Sequence, residues 1–187
     1  MDPLHIYLLL GLVAHKLVWE VLKRGAPAQT KPPVSLRTKL VKAVKVAILL
    51  GIMAQTVLPN FLPLLDNPET IRIVGAVLFT AGLAVAIAAR LELGKNWSDI
   101  EAAGVLKEHS VVSGGIYGLI RHPIYTGDLL LLIGLELALN SWGVVLALAL
   151  MPIVLRQAIR EEGKLIQNLP GYDLYCRRTK RFLPFVA

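Results

Sequence analysis

Tyr117, Arg121, His122 and Tyr125 fall within one run, Ser113–Gly127, that reads S-G-G-I-Y-G-L-I-R-H-P-I-Y-T-G. Two phenols, a guanidinium and an imidazole this close together would crowd around one helix entry, where an anion can bind. Pro123 fixes φ and needs no amide donor, so it suits the first position of a helix and pushes His122 towards an extended conformation. Gly114, Gly115 and Gly118 let the backbone bend tightly or approach a ligand closely. Two readings follow. The free amides of a helix N-terminus attract a carboxylate or phosphate, or the stretch is an interface loop with its aromatics and arginine at headgroup level.

Further groups lie along the chain. Asp128 and Glu136 are eight residues apart in an apolar stretch, hence on roughly one helix face. A carboxylate facing lipid is costly, so both are expected to face the bundle, water or a partner. Each either lines the path of a polar-headed ligand or is simply satisfied within the protein, Glu136 by Asn140 one turn on. The segment Arg156–Gln167, R-Q-A-I-R-E-E-G-K-L-I-Q, reads as a charged helix in which Arg156 and Arg160 share one face and Gln157 and Glu161 another. The single cysteine, Cys176, excludes an internal disulfide and a multi-cysteine zinc site. Its basic neighbours Arg177, Arg178, Lys180 and Arg181 are expected to lower its pKa, unless it is an incidental thiol in a basic tail. No His/Asp/Glu cluster has metal-ligand spacing, so no metal is expected.

The elements that must position these groups are apolar helices. Of 187 residues, 55% are hydrophobic, and the mean hydropathy is +0.61, which soluble domains rarely reach. The net charge of +7 lies next to apolar segments, where anionic lipid explains it better than nucleic acid. The amino terminus lacks the basic start of a cleaved signal peptide. Five spans are expected: Leu4–Val21, Leu40–Leu58, Ile71–Leu91, Ile124–Leu139 and Gly143–Leu155. Lys16 and Glu20 can pair on one face of the first, but snorkelling near its cytoplasmic end is the preferred reading. Gly75 and Gly82 permit close packing of the third. Asn140-Ser141-Trp142 is so short that spans four and five must form an antiparallel hairpin, and Pro152 is expected to kink the fifth. Trp97 reads as an interface anchor. Leu169-Pro170-Gly171-Tyr172 is a turn, and a last short helix begins at Tyr172.

Basic residues alternate along this order. Lys23–Lys45 holds seven Lys or Arg, Pro59–Arg72 one, Arg90–Arg121 four, Asn140–Trp142 none and Arg156–Ala187 seven. The positive-inside rule then predicts an all-α, polytopic membrane protein with its amino terminus outside and its carboxyl-terminal helical segment in the cytoplasm. Both large polar segments fall on that side and can build one site. The chain reads as one membrane-embedded domain, residues 1–187, with three N-terminal spans over 1–92 and the site-bearing region over 93–187.

These pieces together resemble a known family. Leu93-Gly94-Lys95-Asn96-Trp97-Ser98, His109-Ser110-Val111-Val112 before Gly115-Ile116-Tyr117, Arg121-His122-Pro123-Ile124-Tyr125, and Glu161-Glu162 with Tyr172, Tyr175 and Arg181-Phe182-Leu183-Pro184 are similar to the isoprenylcysteine carboxyl methyltransferase-like membrane proteins, a group related to phospholipid N-methyltransferases. The resemblance covers about Leu93–Pro184. It implies methyl transfer from S-adenosyl-L-methionine, with S-adenosyl-L-homocysteine as product, to a lipidic or prenylated acceptor among membrane lipids. It implies that His109, Ser110, Val111, Val112, Tyr117, Arg121, His122, Pro123, Ile124 and Tyr125 hold the cofactor. Glu161, Arg160 and Tyr125 would then be catalytic, and Arg156, Gln157, Glu161 and Arg181 would face the acceptor. Gln157 stands where family members often carry arginine, and Leu169-Pro170 replaces the usual Phe-Gly. Carboxyl O-methylation is the first expectation. Phospholipid N-methylation, a hydride-transferring membrane reductase and a non-catalytic membrane scaffold are the alternatives.

Overall fold

A computed structural model describes residues 2–24, 36–58, 62–97 and 110–184. These form seven α-helices and no strands: α1 (Pro3–Arg24), α2 (Leu36–Val57), α3 (Glu69–Leu93), α4 (Pro123–Ala138), α5 (Gly143–Ala149), α6 (Met151–Asn168) and α7 (Tyr172–Arg178). The arrangement is the expected all-helical one. Among the described residues, three stretches are long and apolar enough to cross a membrane: Pro3–Lys23, Glu69–Leu93 and Gly143–Asn168. The apolar part of α2, Val46–Val57, is shorter, and α4 has 16 residues.

The bundle is built on α3 against α4. Lipid tails offer no hydrophobic gain for helix association, so close backbone packing must supply it, and small residues allow that. Gly75 and Gly82 of α3 face α4, and Gly127 and Gly134 of α4 face α3. A Cβ at Gly75 would collide with the Ala138 backbone, and one at Gly82 with that of Leu131. In return, a Cβ at Gly134 would strike the Phe79 backbone, and one at Gly127 that of Ala86. Each helix therefore presents glycines seven residues apart, two turns along one face. Leu8 of α1 completes the core with Phe79, Leu131, Leu135, Ala138 and Leu139. Lys16 and Glu20 pair at 2.8 Å, the alternative to snorkelling that their four-residue spacing left open.

The end of the bundle away from Pro123 is closed by the α4–α5 turn. Asn140 takes φ +53, a left-handed conformation that asparagine tolerates better than most residues. Its side chain accepts from Leu65 N at 3.0 Å and donates to Leu65 O at 2.8 Å. It is therefore not the partner of Glu136. That buried carboxylate accepts instead from Gln55 Nε2 of α2 at 2.7 Å, an amide that also reaches Ser141 Oγ at 2.9 Å. Sequence spacing pointed to the neighbour on the same helix, whereas the tertiary partner lies 81 residues away. The helical path from Gly143 breaks at Leu150, one turn's start before Pro152, because proline cannot donate into the preceding turn.

At the other end, three separate pieces of chain meet: the α3 terminus, the loop before α4, and the region from late α6 to residue 184. Gly171, at φ +82, reverses the chain between α6 and α7. Arg121 N donates to Lys180 O at 2.8 Å and His122 N to Arg181 O at 3.0 Å. The tail thus lies against the loop that opens α4.

Candidate active site

The loop before α4 is shaped by contacts to α3 and to the tail. Gly115 takes φ +43 and lies against the Glu92 carboxylate, which any Cβ there would displace. Glu92 Oε2 accepts from Ile116 N at 3.1 Å. The glycine therefore admits a protein carboxylate rather than a ligand. Tyr117 is buried, and its backbone oxygen accepts from Tyr175 Oη at 2.7 Å. Pro123 opens the helix, as the sequence predicts, whereas His122 before it takes φ −122 and ψ 54, short of the extended conformation expected.

Glu162 of α6 is the electrostatic centre of the junction. It is buried. Its Oε1 accepts from Arg121 Nε at 2.9 Å, His122 Nε2 at 3.0 Å and Arg181 Nε at 3.1 Å, and its Oε2 accepts from Arg181 at 2.8 Å. A buried carboxylate is tolerable only when paired and hydrogen-bonded, and this one has partners from two chain segments. Arg121 also donates to the backbone oxygens of Cys176 and Thr179. The Glu162 bond raises the pKa of Arg181.

Glu161, one residue earlier, points elsewhere. Its Oε1 accepts from Tyr125 Oη at 2.5 Å and from Gln157 Nε2 at 3.2 Å. The His122 and Tyr125 rings stack with centroids 5.5 Å apart, and Phe182 approaches His122 at 5.7 Å. Behind the other wall, the buried Arg90 guanidinium lies 4.7 Å over the Trp97 ring, a cation–π contact, and donates to Gly94 O at 3.0 Å. Asn96 Oδ1 accepts from Ser110 N at 2.8 Å.

Together these pieces enclose a cleft of about 830 Å³, counting the part open to solvent. Like most small-molecule sites, it is mostly apolar with a few polar groups. Trp97, Val111, Val112, Ile124 and Leu165 supply the apolar walls, and Glu161, Tyr125 and His122 the polar ones. Burial pushes the Tyr117 and Tyr172 phenols well above their ordinary value and Tyr175 up to about 12. All three are neutral hydrogen-bonding groups at physiological pH. Burial also raises the Cys176 thiol. Of the two readings of this thiol, the direction agrees with the incidental cysteine and not with an activated one, because desolvation of the partly buried sulfur outweighs its basic neighbours.

Residues 70–170 match the family profile described as phospholipid methyltransferase. The chain belongs to the phospholipid methyltransferase family. Among curated relatives, the cobalt-zinc-cadmium resistance protein CzcN of Cupriavidus metallidurans is 34% identical over 114 residues, 59% of this chain and 51% of that protein. The nickel-cobalt-cadmium resistance protein NccN of Alcaligenes xylosoxydans is 33% identical over 117 residues, 59% of this chain and 52% of that protein. The protein-S-isoprenylcysteine O-methyltransferase of Schizosaccharomyces pombe is 26% identical over 101 residues, 52% of this chain and 43% of that protein. The chain spans about half the length of these relatives. The solved structure of the eukaryotic intramembrane Ras methyltransferase ICMT superposes with a TM-score of 0.56 at 19% identity, over 81% of this chain and 53% of that one. The fold is therefore that of the isoprenylcysteine carboxyl methyltransferase-like membrane proteins, in agreement with the resemblance read from the sequence.

Within this methyltransferase fold, Ser110, Val111, Val112, Tyr117, Arg121, His122, Ile124, Tyr125 and Glu161 line one cleft. Pro123 is buried beneath it and sets the start of α4. His109 lies outside the described residues. Gln157 touches Glu161 without lining the cleft, and Arg181 sits on Glu162. Arg156 and Arg160 are exposed on α6 and are not among the lining residues. Glu162 and the lining residues Leu93, Asn96, Trp97, Tyr172 and Tyr175 stand in the motifs that carry the resemblance, but sequence reasoning assigned none of them, nor Leu165 and Leu169, to the site. Trp97, read as an interface anchor, is a wall of the cleft.

Proposed function

We propose that the chain is an S-adenosyl-L-methionine-dependent methyltransferase acting at the membrane surface on an amphipathic acceptor. The observation that carries this reading is the cleft itself: four stretches separated in sequence, Leu93–Trp97, Ser110–Val112, Tyr117–Tyr125 and Glu161–Tyr175, converge on it. The donor set suits the cofactor. Trp97, Tyr117 and Tyr125 offer aromatic surface, and Glu161, which accepts from a phenol and an amide, is a carboxylate that a sulfonium cation would find favourable. When bound, S-adenosyl-L-methionine supplies a methyl group for in-line displacement and leaves as S-adenosyl-L-homocysteine.

In this proposal Ser110, Val111 and Val112 bind through extended backbone, and Tyr117, His122, Ile124 and Tyr125 fix the cofactor's orientation. His109, Arg121 and Pro123 belong to the same binding segment. Holding two reactants in line can contribute about 7–11 kcal/mol, so alignment is the chain's main task. For a carboxylate acceptor, already ionised, no general base is needed. Carboxyl O-methylation is the first reading, with Arg156, Gln157, Arg160 and Arg181 on the acceptor side.

One observation favours the second reading, phospholipid N-methylation. The Arg121 guanidinium is taken up by Glu162 and the tail carbonyls, while Glu161 lines the cleft with no ion pair among the described residues. A carboxylate so placed would receive the proton of an amine acceptor. The proposal also includes five spans, an outside amino terminus and a cytoplasmic cleft, within a single domain of residues 1–187.

Calorimetric titration of the detergent-purified protein with S-adenosyl-L-homocysteine, beside NADPH, tests the core claim. Selective binding of the former, weakened by His122→Ala and Tyr117→Ala, is the expected result. Binding of NADPH alone would favour a reductase. Binding of neither by folded protein would favour a scaffold. Turnover of a prenylcysteine against an aminophospholipid then separates the two acceptor classes.

A further inference from the structure

Arg90 stands on the last turn of α3, beside the cleft but not among the residues that line it. It is 1% exposed. A cation this deeply buried calls for a carboxylate, because an unpaired charge away from water is costly. Among the described residues no carboxylate pairs with Arg90. Its Nη1 donates to Gly94 O at 3.0 Å, and its buried Nε has no acceptor. Capping of the helix end accounts for the Gly94 bond. It does not account for a whole guanidinium held in the interior with a donor left over.

What the guanidinium does meet is the Trp97 ring, whose centroid lies 4.7 Å from Cζ. The Tyr117 phenol is close enough to feel the same charge. Trp97 and Tyr117 both line the cleft. The backbone holds Trp97 loosely. It follows a single 3₁₀ turn, Gly94–Asn96, and its N reaches Gly94 O at 3.3 Å, just beyond the usual range for such a bond. A cation against the ring, tied through Nη1 to the first residue of that turn, fixes the turn and the indole together. We propose that Arg90 is a positioning residue of the cleft: it holds the Trp97 ring in the wall and acts on a bound ligand only through that ring. The unpaired charge is then a local conflict of the kind that functional sites retain.

The ligand half of this inference rests on the proposed function, and the ring half does not. In a Trp19→Phe, Trp142→Phe background Trp97 is the remaining tryptophan, and its quenching by acrylamide is read from fluorescence. Arg90→Met keeps an unbranched stem and removes the charge, so the melting temperature is expected to hold. Quenching of Trp97 is expected to rise, and the affinity for S-adenosyl-L-homocysteine to fall about tenfold, the worth of a partly desolvated cation–π contact. Arg90→Lys, which keeps a cation, is expected to fall between the parent and Arg90→Met in both readouts. Unchanged quenching in Arg90→Met would overturn the proposal, as would equal effects of the two variants. So would increased quenching with full affinity, since the ring would then not serve the site. Melting of Arg90→Met far below the parent would mark Arg90 as a helix cap and overturn it too. Failure of the parent to bind S-adenosyl-L-homocysteine would sink the proposed function, while the quenching comparison would still decide the role of Arg90.

Discussion

Glu161 and Glu162 are neighbours with different tasks. On a helix, consecutive side chains point about 100° apart, so one faces the cleft and the other the junction of loop and tail. Replacing Glu162 with glutamine would leave Arg121, His122 and Arg181 without their shared counter-charge. Breaking a buried pair from one side costs about 3–5 kcal/mol. Thermal unfolding of Glu162→Gln should therefore show a loss approaching that size, whereas Glu161→Gln should unfold near the parent temperature and lose turnover instead. Equal melting of the two variants would contradict this division. The Arg-His-Pro helix start was legible because proline chemistry is local. Which of two adjacent glutamates turns inward was not, because it depends on a tail that arrives along a separate path.

The α3–α4 pair carries the second lesson. Gly75 and Gly82 were readable as packing positions, since small residues two turns apart in an apolar helix have few other uses. Gly127 and Gly134 escaped notice because the loop motif beside them drew the functional reading. A side chain at Gly82 or Gly134 would meet backbone, not a movable side chain. Overpacking costs about 1–3 kcal/mol where neighbours can shift, and backbone cannot do so without separating the helices. Gly82→Leu and Gly134→Leu should fail to give folded protein in a detergent-resistance or thermal-shift assay. Gly51 of α2 has nothing within 4 Å of a built Cβ. Gly51→Ala should instead raise stability by roughly 0.5–1 kcal/mol through helix propensity. The hairpin at Asn140–Trp142 was legible from its length, but Gln55 as the partner of Glu136 was not, since no local pattern joins α2 to α4.

Across the whole molecule, the cleft depends on the tail being held against the loop. Tyr175 Oη donates to Tyr117 O, and Tyr172 packs edge-on against Tyr175 at 5.5 Å. Burial raises the Tyr175 pKa from 10.0 to about 12. A phenol whose folded pKa is raised contributes its full stability below the unfolded value and loses it as the unfolded state sheds its proton. Stability of the loop–tail contact should therefore be flat up to pH 10 and fall between pH 10 and about 12. Melting followed by near-ultraviolet dichroism at stepped pH checks this, and Tyr175→Phe should remove part of the slope. A decline already complete below pH 9 would point to a different group. The common location of the two polar segments was foreseeable from charge alternation, but their union on one buried carboxylate needed the folded chain.

The bonds from Arg121 and His122 to Lys180 and Arg181 also have a consequence for biogenesis. A ribosome makes the loop about sixty residues before its partner. At roughly 5–20 residues per second, that interval is about 3–12 s. During it α4, α5 and α6 can already be threaded into the bilayer while the amides of Arg121 and His122 await acceptors. A nascent chain arrested before Lys180 would hold the helical bundle with an unfinished cleft, so membrane insertion and acquisition of ligand binding are separate events in time.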